Sequence, residues 1–500
     1  MIEKTKMQTW LNHRIVKQLA WLVIILVIIL RGAVWLQQRS IFLDEANLIR
    51  NYVEKNYFAL FGHLDYDQYA PPLFSVVTKF VFQVFGINEL TAKLFPLLCG
   101  IAMLIVFHAF CRRFLSPFTV LLAVLFVCFD KIFIDYSTEC KQYATDGLVT
   151  VSLLLLSQLI DFKYFNSKKA ILWAIIGSVA MWFSMPSVFV LAGVGAYYFY
   201  SFWKTKNAKA MLQIAAVGGL WLVQFATYFH FVLNSDAQSD NLQDFHRNFF
   251  LAFPPLSIAD LNLLGAQIGG IIDRAIGITF LAAAISLTCF ILGIKQLWQN
   301  NRAVFFLLVL PIALTLTASA CHYYSLIARL ILFFLPIFIL IVFMGFDFVL
   351  QKAHWAFSGI LTLAFVSTLV LQIQILKPFE RFTNDYSELR EGLDFIKKEK
   401  KSDEILFTAH GITPVVRFYT QYHDRPYVFE NLILQEYICC DPNLFENALV
   451  ELHKKGVKRI WLLGDQRSHT DLDNIIQRQN GRIVKKHEFH RGVALLYEVN

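Results

Sequence analysis

Long apolar runs, separated by short polar or basic breaks, fill the first three quarters of the chain. A helix needs about 20 mostly apolar residues to cross the hydrocarbon of a bilayer. The pattern predicts spans near residues 19–36, 92–111, 116–134, 143–160, 170–184, 186–203, 209–231, 275–294, 303–320, 327–350 and 355–376, about eleven in all. The two runs flanking Ser184-Met185-Pro186 are short. The first run, Leu19 to Leu30, follows Lys4, Lys6, Arg14 and Lys17 and precedes Arg31 and Trp35. No small-residue cleavage site follows it, so it reads as an uncleaved first span.

Two stretches between runs, 37–91 and 232–274, are too long for simple connectors. The first contains amphipathic segments, Ala46–Leu60 and Leu73–Phe85, that fit helices lying in the membrane interface. The second holds a Phe253-Pro254-Pro255-Leu256 turn. Beyond residue 376 the pattern becomes that of a soluble unit. Asp385 can cap a helix to about Lys400, a strand follows at Glu404–Thr408, and a helix follows Thr413. Asp441 can cap a helix to Lys455, Arg459–Leu463 reads as a buried strand, Asp471–Gln479 as a helix, and Val484–Phe489 with Val493–Val499 as a closing hairpin. The expected fold class is an α-helical polytopic membrane protein with a small C-terminal soluble α/β domain. Its parts are residues 1–376, with outer-face loops 37–91 and 232–274, and residues 377–500.

Composition agrees with this pattern. Hydrophobic residues make up 57% of the chain and charged residues 16%, whereas soluble domains average roughly 45–50% and about 25%. The formal charge of +8 is placed by the loops. Arg112-Arg113, Lys168-Lys169, Lys204 with Lys206 and Lys209, Lys295 with Arg302, and Lys352 fall in alternate loops, which assigns those loops and the basic N-terminus to the cytoplasm. The stretches 37–91, 136–146 and 232–274, the turn at His322 and the C-terminal domain then share the opposite face. No basic stripe interleaved with aromatics suggests nucleic acid. The eight cysteines show neither a disulfide framework nor metal-ligand spacing and read as small buried side chains.

Four groups on the outer face can carry chemistry. Asp44-Glu45 follows the first span. Asp44 can be a helix N-cap and Glu45 a first-turn acid, or Asp44 can take a proton from an acceptor hydroxyl. Glu139, Lys141, Tyr143 and Asp146 lie where the third span gives way to the fourth. At helical spacing Glu139, Tyr143 and Asp146 share a face. A Lys141–Glu139 pair is the bland alternative, but it leaves Asp146 unexplained inside an apolar run. Arg329, in a predicted span, needs a partner: a buried pair with Asp44, Glu139 or Asp146, or a substrate phosphate held together with Lys141. Gln68-Tyr69-Ala70-Pro71-Pro72 breaks the chain and opens a helix. His63 and His322 read as polar surface, and the metal question stays open.

Taken in order, these signals resemble the GT-C superfamily of membrane glycosyltransferases. They are Asp44-Glu45 in the first outer loop, Pro71-Pro72 opening an interfacial helix, Ser137-x-Glu139-x-Lys141-x-Tyr143, and Arg329 followed by Leu335-Pro336. They look most like family 39, which includes protein O-mannosyltransferases and the aminoarabinose transferase of lipid A. The resemblance covers the membrane part and the presence of a soluble C-terminal domain. It implies transfer of a sugar from a polyprenyl-phosphate carrier to a lipid, glycan or protein acceptor on the extracytoplasmic face, with inversion. The setting implied is the bacterial inner membrane. Asp44 then matches the catalytic or acceptor-binding acid of the Asp-Glu pair. Lys141 stands where relatives carry Arg, and Glu139, Tyr143 and Asp146 match cavity positions. Relatives carry a basic residue or His before Pro-Pro, where this chain has Ala70. They also have a metal-linked Glu nearby, where this chain has Tyr69, so a divalent metal is possible but not assigned. The alternative is a multispanning flippase or transporter of lipid-linked sugar. Such proteins favour inverted repeats with matching broken helices, and none is visible in the sequence.

Overall fold

The computed structural model describes residues 14–160, 165–233, 240–276, 280–376, 387–408, 411–435, 442–465, 472, 474 and 476–499. Its membrane part begins with α1 (Arg14–Leu36), α2 (Leu43–Glu54), α3 (Pro72–Phe85), α4 (Glu89–Cys111), α5 (Pro117–Phe129), α6 (Lys131–Asp135) and α7 (Tyr143–Leu159). It continues with α8 (Ser167–Phe183), α9 (Ser187–Lys204), α10 (Ala208–Tyr228), α11 (Asp240–His246), α12 (Ile258–Ala275), α13 (Phe280–Asn300), α14 (Arg302–Ala320), α15 (Ala328–Ile331), α16 (Leu335–Lys352) and α17 (Trp355–Leu376). Among the described residues, seven helices are long and apolar enough to cross a membrane; α3, α5 and α7 are shorter apolar helices. Their lipid-facing sides are rich in exposed apolar residues, such as Ile25 and Ile29 on α1 and Leu222 and Val223 on α10. This is the surface of an integral membrane protein.

Small residues let the helices approach closely. A Cβ on Gly345 of α16 would fall 1.8 Å from the Cys289 carbonyl of α13, and one on Gly293 would fall 2.2 Å from the Ile341 carbonyl. Packing of this kind is what holds helices together in lipid, where hydrophobic burial supplies no drive.

Two expected spans are broken. The run 116–134 ends at Phe129, and Asp130 caps α6 through the Ile132 amide at 3.0 Å. The run 327–350 divides into α15 and α16, because Pro336 in the first turn of α16 starts a new helix. Arg329 therefore sits on a short helix before the spanning one, not inside it.

The C-terminal part has α18 (Leu389–Glu399), α19 (Thr413–Arg417) and α20 (Pro442–Lys454) around a five-stranded sheet. The strands are β1 (Ile405–Thr408), β2 (Leu432–Ile433), β3 (Arg459–Asp465), β4 (Gly481–Phe489) and β5 (Gly492–Val499), in the order β2-β1-β3-β5-β4. β2, β1 and β3 are parallel, and β4 and β5 form the expected antiparallel hairpin. Strand β2, only two residues long, has no legible pattern. The caps expected at Asp385, Asp441 and Asp471 lie outside the described residues.

One apolar core joins this sheet to the segment between α1 and α4. Leu48, Tyr52 and Phe74 of α2 and α3 cluster with Leu393, Tyr419 and Trp461. The amphipathic face of α2 therefore meets protein, not lipid. Only α3 keeps an exposed apolar edge, at Phe80, Val84 and Phe85, that suits a membrane interface. Polar ties reinforce the joint. The Glu388 carboxylate accepts from the Ser40 amide at 3.2 Å and hydroxyl at 2.9 Å. Glu89 accepts from Arg390 at 2.6 Å and from Tyr419 at 3.1 Å.

Candidate functional site

Successive residues on a helix point about 100° apart, and the first turn of α2 uses this to separate Asp44 from Glu45. Glu45 is the third helical residue and closes a capping box by accepting the Phe42 amide at 3.2 Å. It also takes two hydrogen bonds from Arg39, at 2.9 and 3.2 Å, and one from the Cys140 amide at 2.7 Å. Burial pushes its carboxyl up, but Arg39 and Lys93 outweigh that and hold it below its ordinary value. The Glu45 side chain is 0% exposed and lies outside the cavity described next. Its contacts are those of a structural residue, where the Asp44-Glu45 pair was expected to be catalytic. The Asp44 side chain is 34% exposed and opens onto the cavity.

The cavity, about 1250 Å³, lies where one end of the helices meets the C-terminal unit. Asp44, Lys141 and Arg329 line it, with Tyr69, Tyr143 and Asp146 beside them. Three segments distant in the sequence thus converge. Glu139 is the exception. α7 begins only at Tyr143, so Glu139 lies in the preceding bend, buried, off the helical face expected for it and off the cavity wall.

Lys141 is buried, and its ammonium donates to the Gln68 side-chain oxygen at 2.7 Å. Burial pulls its pKa below the ordinary lysine value; Asp44 opposes this shift and Arg329 adds to it. The expected alternative, a pair with Glu139, is not the contact seen. Arg329 approaches Asp44 at 3.5 Å and faces the Phe245 ring at 5.9 Å. At that distance the pair is ionic without a tight hydrogen bond.

Gln68 reaches Lys141 from a turn that is fixed on both sides. Tyr66 and Asp67 have left-handed backbone, with φ of 67° and 52°. Asn51 holds the turn by donating to the Asp65 carbonyl at 3.0 Å and accepting from its amide at 2.7 Å. Pro71 and Pro72 then start α3. The Tyr69 hydroxyl pairs with Tyr228 at 2.5 Å. Burial and Tyr228 push the Tyr69 phenol well above its ordinary value, so it stays protonated.

Asp146 sits in the first turn of α7, buried, and its Oδ1 has no hydrogen-bond partner. The same holds for Gln142 Oε1 on the same wall. Buried polar atoms are nearly always paired, and both of these belong to residues that line the cavity. Gln142 and His246 carry no pattern that singles them out in the sequence. Burial and Arg329 hold His246 down at about 4, so its ring is neutral. His322, expected at the polar surface, lines the cavity and stacks on Phe250 at 5.0 Å. Among the described residues, no group of three or more His, Cys, Asp or Glu is placed to hold a metal ion.

No family model matches the chain. A stretch of 199 residues is 27% identical to an uncharacterized protein of Aquifex aeolicus (strain VF5), and the match spans 38% of each protein. The crystal structure of ArnT from Cupriavidus metallidurans bound to undecaprenyl phosphate superposes with a TM-score of 0.51 and 13% identity, covering 94% of this chain and 97% of that one. The Archaeoglobus fulgidus oligosaccharyltransferase in complex with Zn and sulfate gives 0.48 and 10% identity, over 89% of this chain and 68% of its own. Near-complete coverage by ArnT in both directions includes the C-terminal unit as well as the helices. The chain has the fold of the GT-C superfamily of membrane glycosyltransferases.

Proposed function

We propose that the protein moves a sugar from a polyprenyl-phosphate carrier to an acceptor on the extracytoplasmic face of a bacterial inner membrane. The observation that carries this is the convergence of a buried ammonium, a guanidinium and a carboxylate, Lys141, Arg329 and Asp44, on one large cavity. Lys141 has a single neutral hydrogen-bond partner, Gln68, for its three donors. A buried cation so placed favours an anion. ArnT, whose fold this chain shares, was crystallised with undecaprenyl phosphate, a ligand of the same chemistry.

In this mechanism Lys141 and Arg329 hold the carrier phosphate. Asp146 and Gln142 accept hydrogen bonds from sugar hydroxyls, and Tyr143 and Tyr69 shape the pocket around the ring. The acceptor oxygen attacks the anomeric carbon on the face opposite the phosphate, which inverts the configuration. The bond from that carbon to the phosphate oxygen breaks, and its electron pair leaves with the phosphate. The two cations stabilise the added charge, an effect that grows in the transition state. The acceptor proton passes to Asp44. Arg329 holds Asp44 before donor arrives, and a bound phosphate competes for Arg329 and releases the carboxylate for this role. Glu139 acts at a distance, as a buried charge near Arg329.

The test is incubation of purified protein in lipid nanodiscs with radiolabelled polyprenyl-phosphate sugars and a glycolipid extract, wild type against Asp44→Asn. Label leaving the carrier in wild type alone supports the mechanism. In proteoliposomes, label that crosses the bilayer still attached to its carrier would favour the flippase alternative.

A further inference from the structure

Away from the cavity, α9 and α14 enclose a second recess of a different character. The two helices run antiparallel. The Phe189 ring near the start of α9 meets Tyr324, just after α14, at 5.4 Å, and Tyr200 near the end of α9 meets Phe306 at 5.4 Å. Between these contacts a Cβ on Gly193 would fall 2.8 Å from the Leu307 carbonyl, so the backbones nearly touch. Past that contact a groove of about 250 Å³ opens, lined by Ala196, Phe199, Tyr200, Trp203 and Phe306. Met185 and Pro186, before α9, and Tyr323 and Tyr324, after α14, line the large cavity. The groove therefore lies towards the opposite ends of the same two helices.

Its wall is aromatic and aliphatic, and its mouth is cationic. Lys204 follows Tyr200 by four residues on α9, and Arg302 precedes Phe306 by four on α14. Residues four apart share a helix face. Because the helices are antiparallel, both cations come to the same end of the groove, one turn beyond it and away from the cavity. Both are exposed. Arg302 stands over the Trp298 ring at 4.9 Å, a contact that anchors the guanidinium. Lys206 and Lys209 between and within α9 and α10, and Lys295 near the end of α13, add to the charge. The stretches 187–231 and 275–322, which carry all of these cations, contain no Asp or Glu.

Basic residues at span ends orient a membrane protein, and aromatic residues seat in the interface. Neither role calls for a recess between two helices with cations at one end of it. That order, an apolar slot first and positive charge one turn further out, is the order of parts in a phospholipid that carries net negative charge.

We propose that this groove binds one anionic phospholipid of the leaflet opposite the cavity. An acyl chain lies along Ala196, Phe199 and Phe306, and the phosphate sits between Lys204 and Arg302. Basic pockets between spans take such headgroups. Arg302 is also the first residue of α14, so the positive end of that helix adds to the attraction. The bound lipid braces α9 against α14 at the ends away from the cavity. The site is separate from the transfer reaction and does not depend on it.

The experiment reads lipid selectivity directly. Full-length protein, delipidated in detergent, is titrated with phosphatidylglycerol and with phosphatidylcholine of identical chains, and lipid-bound species are counted by native mass spectrometry. Glycerol 1-phosphate serves as a competitor without chains. The charge variant is Lys204→Gln with Arg302→Gln. The groove variants are Ala196→Phe, which fills the slot, and Trp203→Ala, which removes an exposed wall and decides the matter where Ala196→Phe disturbs packing. Arg112→Gln with Arg113→Gln removes two exposed cations at the end of α4 as a control. Expected is a preference for phosphatidylglycerol of about tenfold or more in wild type and control, the effect of two cations near a phosphate. The charge variant should lose that preference, and the groove variants should lose the bound lipid. Equal binding of both lipids by wild type overturns the site, as does an unaltered preference in the charge variant or undiminished binding in both groove variants. An equal loss in the control would make the attraction a diffuse property of a basic surface. Displacement of the lipid by glycerol 1-phosphate at equal concentration would make this an anion site that does not use the groove. Either result also overturns the proposal.

Discussion

Arg329 stands 3.5 Å from Asp44, closer to that carboxylate than a spectator charge would be and farther than a tight hydrogen bond. Both side chains are partly exposed to the cavity, 26% and 34%, so the pair is open to competition by an incoming anion. Removing the carboxylate should therefore help the donor bind. Asp44→Asn is expected to bind undecaprenyl phosphate as tightly as wild type or more tightly, while transfer falls by about a hundredfold or more. Arg329→Gln should instead weaken donor binding. Isothermal titration with the lipid separates the two; weaker binding by Asp44→Asn would show that its carboxylate helps hold the donor.

Adjacent to that pair, Glu45 should behave as a structural residue. Its carboxylate joins Arg39, the Phe42 amide and the Cys140 amide. Glu45→Gln leaves Arg39 buried without its charge partner, a change that typically costs about 3–5 kcal/mol. Thermal unfolding in detergent should show a lower Tm for Glu45→Gln and little change for Asp44→Asn. An equal Tm in the two variants would count against the division of labour within the pair.

Lys141 gives a pH dependence with a definite sign. Its free-protein pKa is lowered, first by burial and further by Arg329, against the pull of Asp44. Bound phosphate favours the charged form and raises that pKa. Donor affinity should thus be full below the lowered free value and fall as pH rises from there through the bound-state value, beginning below the ordinary lysine range of about 10.4. Gln68→Glu gives the ammonium a carboxylate partner in place of an amide. The alkaline limb should then move to higher pH, while donor KM rises because the new carboxylate repels phosphate. A pH profile of donor KM for both proteins checks this, and an unmoved limb rules out Lys141 as the titrating group.

How much of this was legible follows from which physics each feature obeys. Spans are set by length and apolarity, so the mostly helical architecture could be read from the pattern of apolar runs, although among the described residues seven helices, not about eleven, are long and apolar enough to cross a membrane. Asp44, Lys141, Asp146 and Arg329 stood out because a charge beside or inside an apolar run needs an explanation. Glu139 and Glu45 carried the same signal and proved to be placed off the cavity. Their side-chain directions depend on where α7 and α2 begin, and helix boundaries are the least reliable part of a sequence pattern. Gln142 and His246 were illegible for a different reason. Each is an ordinary polar residue in a short helix or at a helix start, and only the meeting of distant segments puts it on the cavity. The shared core between α2 and the C-terminal sheet was hidden likewise, because an amphipathic helix reads the same against lipid as against protein.

Asp146 supplies the last test, because stability and activity should move in opposite directions there. Its Oδ1 is buried without a partner, and an unsatisfied buried polar group costs about 1–3 kcal/mol. A group kept at that cost in a cavity wall has a use that the folded protein alone does not reveal. Asp146→Ala removes the unpaired oxygen and leaves a small side chain at the cavity edge, where water can fill the space. Its Tm is expected to equal or exceed that of wild type. Turnover should fall by about tenfold, the loss of one hydrogen bond to the sugar, and undecaprenyl phosphate lacking the sugar should bind unchanged. Lower Tm together with normal turnover would make Asp146 a packing residue whose partner is supplied by water.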